Sequence, residues 1–377
     1  GNSAQCSTEV IIEDNIPPNA LCQDITVELD TTGNASISAN DIDNGSNDAC
    51  GIQSLTIDNN AFTCADVGAN TVTLTVTDNN NNVSMCTATV SIVDTIDPVA
   101  LCQDITVQLD ATGNASITPS DIDNGSNDAC GIQSLAIDVN AFTCANVGAN
   151  VVTLTVTDNN NNVSTCTATV TVEDNVLPNA LCQDITVQLD ATGNSSITPS
   201  DIDNGSNDAC GIQSLVLDVN NFTCANVGAN VVTLTVTDNN NNISTCTATV
   251  TVEDNIPPTI VCPADITVSN DPGVCNAVVS WNPPAGADNC PGFSVTSSHD
   301  PGDTFTVGTT QVTYTVTDAT GNSAQCSFNV TVNDTEDPTI VCPADITVSN
   351  DLGQCNAVVS WNPPAGADNC PGFNVTS

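Results

Sequence analysis

Residues 100–172 read ALCQDITVQLDATGNASITPSDIDNGSNDACGIQSLAIDVNAFTCANVGANVVTLTVTDNNNNVSTCTATVTV, and nearly the same text returns from Ala180 and, more loosely, stands before it from Ala20. The lead cysteines Cys22, Cys102, Cys182, Cys262 and Cys342 fall at a constant step of 80. A fixed period of this length signals a string of similar small domains. Within one unit Asp24–Leu29, Thr71–Val76 and Thr87–Ile92 alternate polar and apolar residues with period two. Thr and Val suit a pleated, half-buried face. Gly, Asn, Asp and Pro clusters separate these runs, and no window carries a helical stripe. The expected fold is all-β: a tandem array of immunoglobulin-like β-sandwich domains of about 80 residues, stapled by disulfides. The period divides the chain into the end of one repeat (1–15), four repeats (16–95, 96–175, 176–255, 256–335) and the first part of another (336–377). GNSAQCS at Gly1 recurs at Gly321, so the chain is expected to start and end inside repeats.

Charge narrows the function. The 377 residues carry 44 carboxylates and no Lys or Arg. A nucleic-acid binder needs cations to displace counterions from phosphates, and a membrane-surface helix needs a basic face. Neither class fits, and no apolar run is long enough to insert in a bilayer. Disorder, the usual fate of so acidic a chain, is opposed by 40% hydrophobic residues that alternate and by 20 regularly spaced cysteines. Aromatics make up 3% of the chain, so each core must be small, filled by Val, Ile, Leu and one Phe per repeat: Phe62, Phe142 and Phe222.

A small core needs staples. The first three repeats place cysteines at Cys22, Cys50, Cys64, Cys86 and their translates; the fourth places them at Cys262, Cys275, Cys290 and Cys326. The inner pair moves, whereas the outer separation stays at 64. Of the three possible connectivities this favours Cys22–Cys86 outside and Cys50–Cys64 inside. Down the chain the same rule gives Cys102–Cys166 with Cys130–Cys144, Cys182–Cys246 with Cys210–Cys224, Cys262–Cys326 with Cys275–Cys290, and Cys355–Cys370. Zinc is the rival, but CxxC pairs are absent and there is one His, His299, expected at the surface. Disulfides place the protein outside a reducing cytosol, at the cell surface.

Residues 254–334 open DNIPPTIVCPADITVSN, continue through VVSWNPPAGADNC and close TFTVGTTQVTYTVTDATGNSAQCSFNVTVND. This closely resembles the hyalin repeat (HYR), an immunoglobulin-like extracellular module, on Cys262-Pro263, Val307–Thr310, Tyr314 and Val330–Val332. The other repeats keep the start and end but carry DIDNGSNDACGI in the middle. That form resembles tandem repeats of large secreted surface proteins and adhesins of gliding bacteria, exported by the type IX route. The resemblance implies spacers and adhesive stalks.

Without Lys or Arg, every carboxylate must be solvated, protonated or bound to a metal ion. Traced through a sandwich, the incoming linker, the loop after the second strand and the last hairpin turn return to one pole. In the first repeat these supply Glu13, Asp14, Asp41, Asp43 and Asp78. The second supplies Asp94, Asp121, Asp123 and Asp158, and the third Asp174, Asp201, Asp203 and Asp238. The fourth has a thinner set, Asp254 in the linker, Asp318 in the last turn and Asp288-Asn289 in the other loop. Hard cations take six to eight oxygen ligands, and the spacing of Asp41, Asp43 and Gly45 is similar to that of a calcium loop. Calcium at the junctions is therefore the expected cofactor; the bland alternative is that these are turn residues on a solvated surface.

Asn34 and Asn82 are among several N-x-S/T acceptors, and Asp94-Thr95-Ile96 resembles a bacterial O-glycosylation site. Trp281 and Trp361 are expected in the core. Catalysis is disfavoured: one His and no cation give no triad, and the sandwiches are too small for a carbohydrate cleft. Two roles remain. One is a structural stalk or filament, its partners further copies of the same repeat, with lateral association along exposed strand edges. The other is an adhesin whose loops hold a surface polysaccharide or a protein by avidity. The near identity of repeats two and three favours the first.

Overall fold

The computed structural model describes Gly1 and residues 3–376. Asn2 and Ser377, near the outer ends of the first and last expected segments, lie outside the described residues. The first repeat sets the pattern: β1 (Ile25–Glu28), β2 (Asn34–Ser36), β3 (Ile52–Ile57), β4 (Ala61–Thr63), β5 (Gly68–Asp78) and β6 (Val83–Val93). One sheet runs β1-β6-β5-β3, with β1 parallel to β6; the second pairs β2 with β4. Two compact units contain the repeats: residues 1–177 with 208–211, and 178–207 with 212–377. In the first unit the pattern recurs over 105–173. In the second it recurs over 185–253 and, with Ser294–Ser297 and Thr304–Thr306 as third and fourth main strands, over 266–333.

The alternation read from the sequence is the burial pattern. Val72, Leu74 and Val76 on β5 and Ala88, Val90 and Ile92 on β6 point inward, and Phe62 closes the space beneath β2. Each of these side chains larger than Ala contributes roughly 1.5–3 kcal/mol on full burial. Phe142 and Phe222 repeat this role. In the fourth core Tyr314 stands opposite Cys326 where Leu74 stands opposite Cys86. Trp281 donates its Nε1–H to the Tyr314 hydroxyl at 2.9 Å and meets Phe305 and Phe328 edge-on. Trp361, by contrast, is exposed. His299 is half-buried against Phe305 rather than at the surface.

A short helix was not expected. Ala39–Ile42, Pro119–Ile122 and Pro199–Ile202 each form one helical turn. Ser38 begins the first, and its backbone N–H and hydroxyl both donate to the third helical residue, Asp41, at 2.7 and 2.8 Å. This capping box satisfies groups that a helix start leaves unpaired, and Pro at the first helical position of the later copies fits the fixed φ of that residue.

The disulfides correct the inner pairing. Cys22–Cys86, Cys102–Cys166, Cys182–Cys246 and Cys262–Cys326 close each sandwich on itself. The bonds expected for Cys50–Cys64, Cys130–Cys144, Cys210–Cys224, Cys275–Cys290 and Cys355–Cys370 do not form. Cys64 joins Cys130, Cys144 joins Cys210, Cys224 joins Cys290 and Cys275 joins Cys370. Cys6, Cys50, Cys342 and Cys355 are exposed free thiols. The reason is distance. Cys50 precedes β3 at one pole and Cys64 follows β4 at the other. Six strand residues rise about 20 Å, whereas a disulfide needs Cα atoms within about 7 Å. Cys64 and Cys130 are 5.1 Å apart at Cα. Successive repeats are thus tied covalently, and closing loops of 64–66 residues contributes on the order of 4 kcal/mol per bond in the chain-entropy account.

Candidate metal centre

Three segments meet at the pole of each repeat. In the first, Asn82 donates its side-chain N–H to the Asp14 carbonyl at 3.0 Å, and Asn79 donates to the Cys50 carbonyl at 2.8 Å. Linker, hairpin turn and loop are thereby pinned together. Asn81 in the turn has φ +70°, a left-handed conformation that Asn tolerates. Gly321, at φ +99°, serves the fourth repeat.

Among the described residues, potential metal ligands gather in four groups, each with its ligand atoms within 4.8 Å of one another: Asp14, Asp48 and Cys50; Asp94, Asp128 and Cys130; Asp174, Asp208 and Cys210; Asp254, Asp288 and Asp318. Asp14, Asp94, Asp174, Asp254 and Asp318 were expected here. Asp288 belonged to the expected fourth set as well. Asp48, Asp128 and Asp208 were not among the expected ligands, although each stands two residues before a cysteine: Cys130 and Cys210 tie their repeats to the one before, and Cys50 is free. The constant separation of 66 between Cys64 and Cys130, between Cys144 and Cys210 and between Cys224 and Cys290 was the available signal. It survives the change of repeat type, and it marks Asp-x-Cys as a junction motif.

The other expected ligands have different work. Asp41, Asp121 and Asp201 cap the short helices. Asp43, Asp123 and Asp203 accept from the backbone of Ser46, Ser126 and Ser206, and bridge in the ladder to Cys22, Cys102 and Cys182. Asp78, Asp158 and Asp238 are fully buried, holding the hairpin turns through the amides of Asn82, Asn162 and Asn242. Glu13 is exposed and outside the four groups.

Several carboxylates are held below the ordinary aspartate value. For Asp30 the Thr32 hydroxyl is the main cause, and for Asp41 the Ser38 backbone N–H. For Asp318 burial opposes ionisation, but hydrogen bonds led by the Asn322 side chain outweigh it. The Cys50 thiol is pushed up, chiefly by its hydrogen bond to Asp14.

Two observations test whether the groups fit a cation. Asp94 is 9% exposed and Asp254 3%, yet the Oδ2 of each is buried without a donor. A buried acceptor with no partner costs about 1–3 kcal/mol. Two unit charges 4–5 Å apart repel by about 3–4 kcal/mol at an effective dielectric of 20, and the chain has no cationic side chain to offset this. In the group of Asp254, Asp288 and Asp318 the oxygens lie within 4.8 Å of one another, which matches the span of a calcium shell with bonds of about 2.4 Å, and these residues fit the ion. The other three groups offer two carboxylates each beside a cysteine sulfur.

Residues 253–332 match the family described as the HYR domain. Hyalin of Strongylocentrotus purpuratus is 30% identical over 390 residues, taking in 98% of this chain and 32% of the sea-urchin protein. Hyalin of Lytechinus variegatus is 35% identical over 147 residues, 38% of this chain and 28% of that one. The "Sushi, von Willebrand factor type A, EGF and pentraxin domain-containing protein 1" of Rattus norvegicus is 34% identical over 118 residues, 30% of this chain and 3% of that protein. The chain therefore spans about a third of the length of the hyalins it matches. Among solved structures, the protocadherin GammaB4 extracellular domain aligns over 88% of this chain and 69% of its own, with TM-score 0.31 and 15% identity. Sidekick-1 immunoglobulin domains 1–5 align over 84% and 81%, with TM-score 0.27 and 12% identity. At those scores the likeness carries no argument. The family match and the hyalins support a hyalin repeat. These relatives are animal proteins, so the bacterial side of the resemblance gains nothing from them. With its disulfides, this is an extracellular repeat protein.

Proposed function

We propose that the chain is a non-enzymatic, load-bearing stretch of an extracellular stalk or filament, divided at 16–95, 96–175, 176–255 and 256–335, with calcium at the repeat junctions. The observation that carries this reading is the second set of disulfides, which runs from one repeat to the next at Cys64–Cys130, Cys144–Cys210, Cys224–Cys290 and Cys275–Cys370. A chain of independent domains needs only internal staples. Ties between neighbours resist bending and pulling at the linker, the weakest point of a tandem array. The acidic groups beside those ties are the second support, since an ion there offsets repulsion that nothing else in the chain offsets.

Partners in this reading are further copies of the repeat, including side-by-side association into a filament. Polysaccharide binding and the type IX export route, both expected from the sequence, draw no support from the relatives, and the proposal does not depend on them.

Scanning calorimetry of the oxidised protein tests the ion. Millimolar calcium is expected to raise the melting temperature by several degrees, since a ligand at 100 times its dissociation constant adds about 2.7 kcal/mol, and chelator is expected to reverse the shift. Superimposable melts with calcium and with chelator would remove the ion from the proposal. Electron microscopy of the native assembly tests the stalk: isolated compact particles with freely jointed repeats would contradict it.

A further inference from the structure

We propose that Asp254, Asp288, Asn289 and Asp318 form a site for one hard divalent cation, calcium by its donor set, different in kind from the other junction groups. This rests on the junction-ion reading and locates its strongest site. The sequence pointed the other way, since the fourth repeat has the thinnest run of acidic loop residues.

One carboxylate oxygen from each of Asp254, Asp288 and Asp318 lies within 4.8 Å of the others, and at this pole Asp254 Oδ2, Asp288 Oδ1 and Asn289 Oδ1 are buried without a donor. Their partner atoms are already used, which fixes their direction. Asp254 Oδ1 accepts from the backbone of Ile256 at 3.2 Å and from Asn289 Nδ2 at 3.1 Å. Asp288 Oδ2 accepts from the Cys290 backbone at 3.2 Å. Asn289 Nδ2 also donates to the Asp190 carbonyl at 3.3 Å, which leaves its amide oxygen as the free atom. Asp318 is oriented by its own turn, through Thr320, Gly321 and Asn322. Carboxylates with an amide oxygen are what calcium takes, and what zinc or copper sites, built on nitrogen and sulfur, lack.

The groups at Asp14, Asp94 and Asp174 offer two carboxylates and a cysteine sulfur. In the latter two the sulfur is half of a disulfide, so it is no thiolate and a poor ligand for a hard ion. The fourth repeat reads Asp288-Asn289-Cys290, as the last reads Asp368-Asn369-Cys370, where the first three read Asp-Ala-Cys with Ala49, Ala129 and Ala209. One substitution thus adds the amide oxygen. Crevices lined by Asp254, Cys290 and Thr320 on one side and by Ile256, Asp288 and Asn289 on the other give an ion its access path.

Isothermal titration of the oxidised full chain with calcium chloride decides the matter. The expected result is a tightest class of about one ion per chain, weakened roughly tenfold or more by Asn289→Ala and by Asp288→Asn and unchanged by Asp128→Asn. Asn289→Ala installs the residue the first three repeats carry, and an unchanged near-ultraviolet signal from Trp281 checks that the fourth repeat still folds. Survival of the tight class in both variants overturns the proposal. Loss of that class in Asp128→Asn instead overturns it while keeping an ion at the junctions, and absence of any calcium binding removes both.

Discussion

In the second repeat Thr143 pairs with Asn114, Cys144 follows on one strand and Gly113 precedes on the other. In the fourth, Thr306 pairs with Asn276, and the two flanking places hold Val307 and Cys275. The cysteine has crossed from one strand to its partner, yet it remains at the same pole and still reaches the next repeat. At the opposite pole Cys130, Cys210, Cys290 and Cys370 receive the tie, all two residues after an Asp. Placement at a pole has been kept, while placement along the chain has not. The cores differ in the same spirit: Leu154 becomes Tyr314 and Ala168 becomes Phe328, and Trp281 adds its ring to the larger cluster.

The largest expected effect comes from moving the cysteine back. Cys275→Gly should remove about 4 kcal/mol of loop-closure stabilisation, and adding Val307→Cys should restore most of it through a bond to Cys370. Urea unfolding followed by Trp281 fluorescence measures the difference. Bond mapping after cleavage at acidic residues identifies the pair, since the chain has no Lys or Arg for trypsin. If the double variant leaves Cys370 free, the two places are not equivalent.

Next in size is Gly193→Ala. A Cβ there would stand 2.6 Å from Cys224 Sγ and 2.8 Å from the Asn289 carbonyl, at φ +76°. A loss of about 1–3 kcal/mol is expected from strain at that φ and from crowding against the disulfide. The same change at Gly273, where nothing lies within 4 Å, should cost only the φ component. Equal losses at the two positions would show that the tie is not what requires the glycine.

Trp281→Phe should cost about 1 kcal/mol, as the Tyr314 hydroxyl loses a donor it cannot replace in the core. Denaturation midpoints with and without Tyr314→Phe measure the coupling, and additive effects would mean that the hydrogen bond contributes nothing.

The smallest effect per group is in acid. Asp30, Asp41 and Asp58 in the first repeat, with counterparts in the second and third, have folded values lowered by Thr32, Ser38 and Thr73 respectively. A lowered folded value means that the unfolded state binds the proton more readily. The contribution is therefore complete above the ordinary value and fades as pH falls through the folded one. Of the carboxylates in the fourth repeat, Asp318 has such a lowered value. Below about pH 4 the first three repeats should lose melting temperature faster than the fourth, whose melting Trp281 reports separately. Parallel losses would contradict this assignment.

Strand alternation, the period, the buried phenylalanines and the Cys22–Cys86 type of bond were legible because each is local or repeats at one spacing. The inner pairing was not. A choice between Cys64–Cys50 and Cys64–Cys130 turns on which residues share a pole, and sequence distance misleads when strands carry the chain across the sandwich between near neighbours. The candidate ligands divided in the same way. Asp14 and Asp254 were found as linker residues, whereas Asp41 looked like a calcium ligand and caps a helical turn instead. Asp128 and Asp208 were passed over because their importance comes from the disulfide beside them.

By itself, then, the sequence determined the repeat, the β class, the absence of any internal cation and hence the need for something else to balance buried carboxylates. Only the tertiary structure decided which cysteines meet and which oxygens face one another without a donor. Those are questions of distance across a fold, and side chains far apart in the chain come within bonding range only when the strands that carry them are laid side by side.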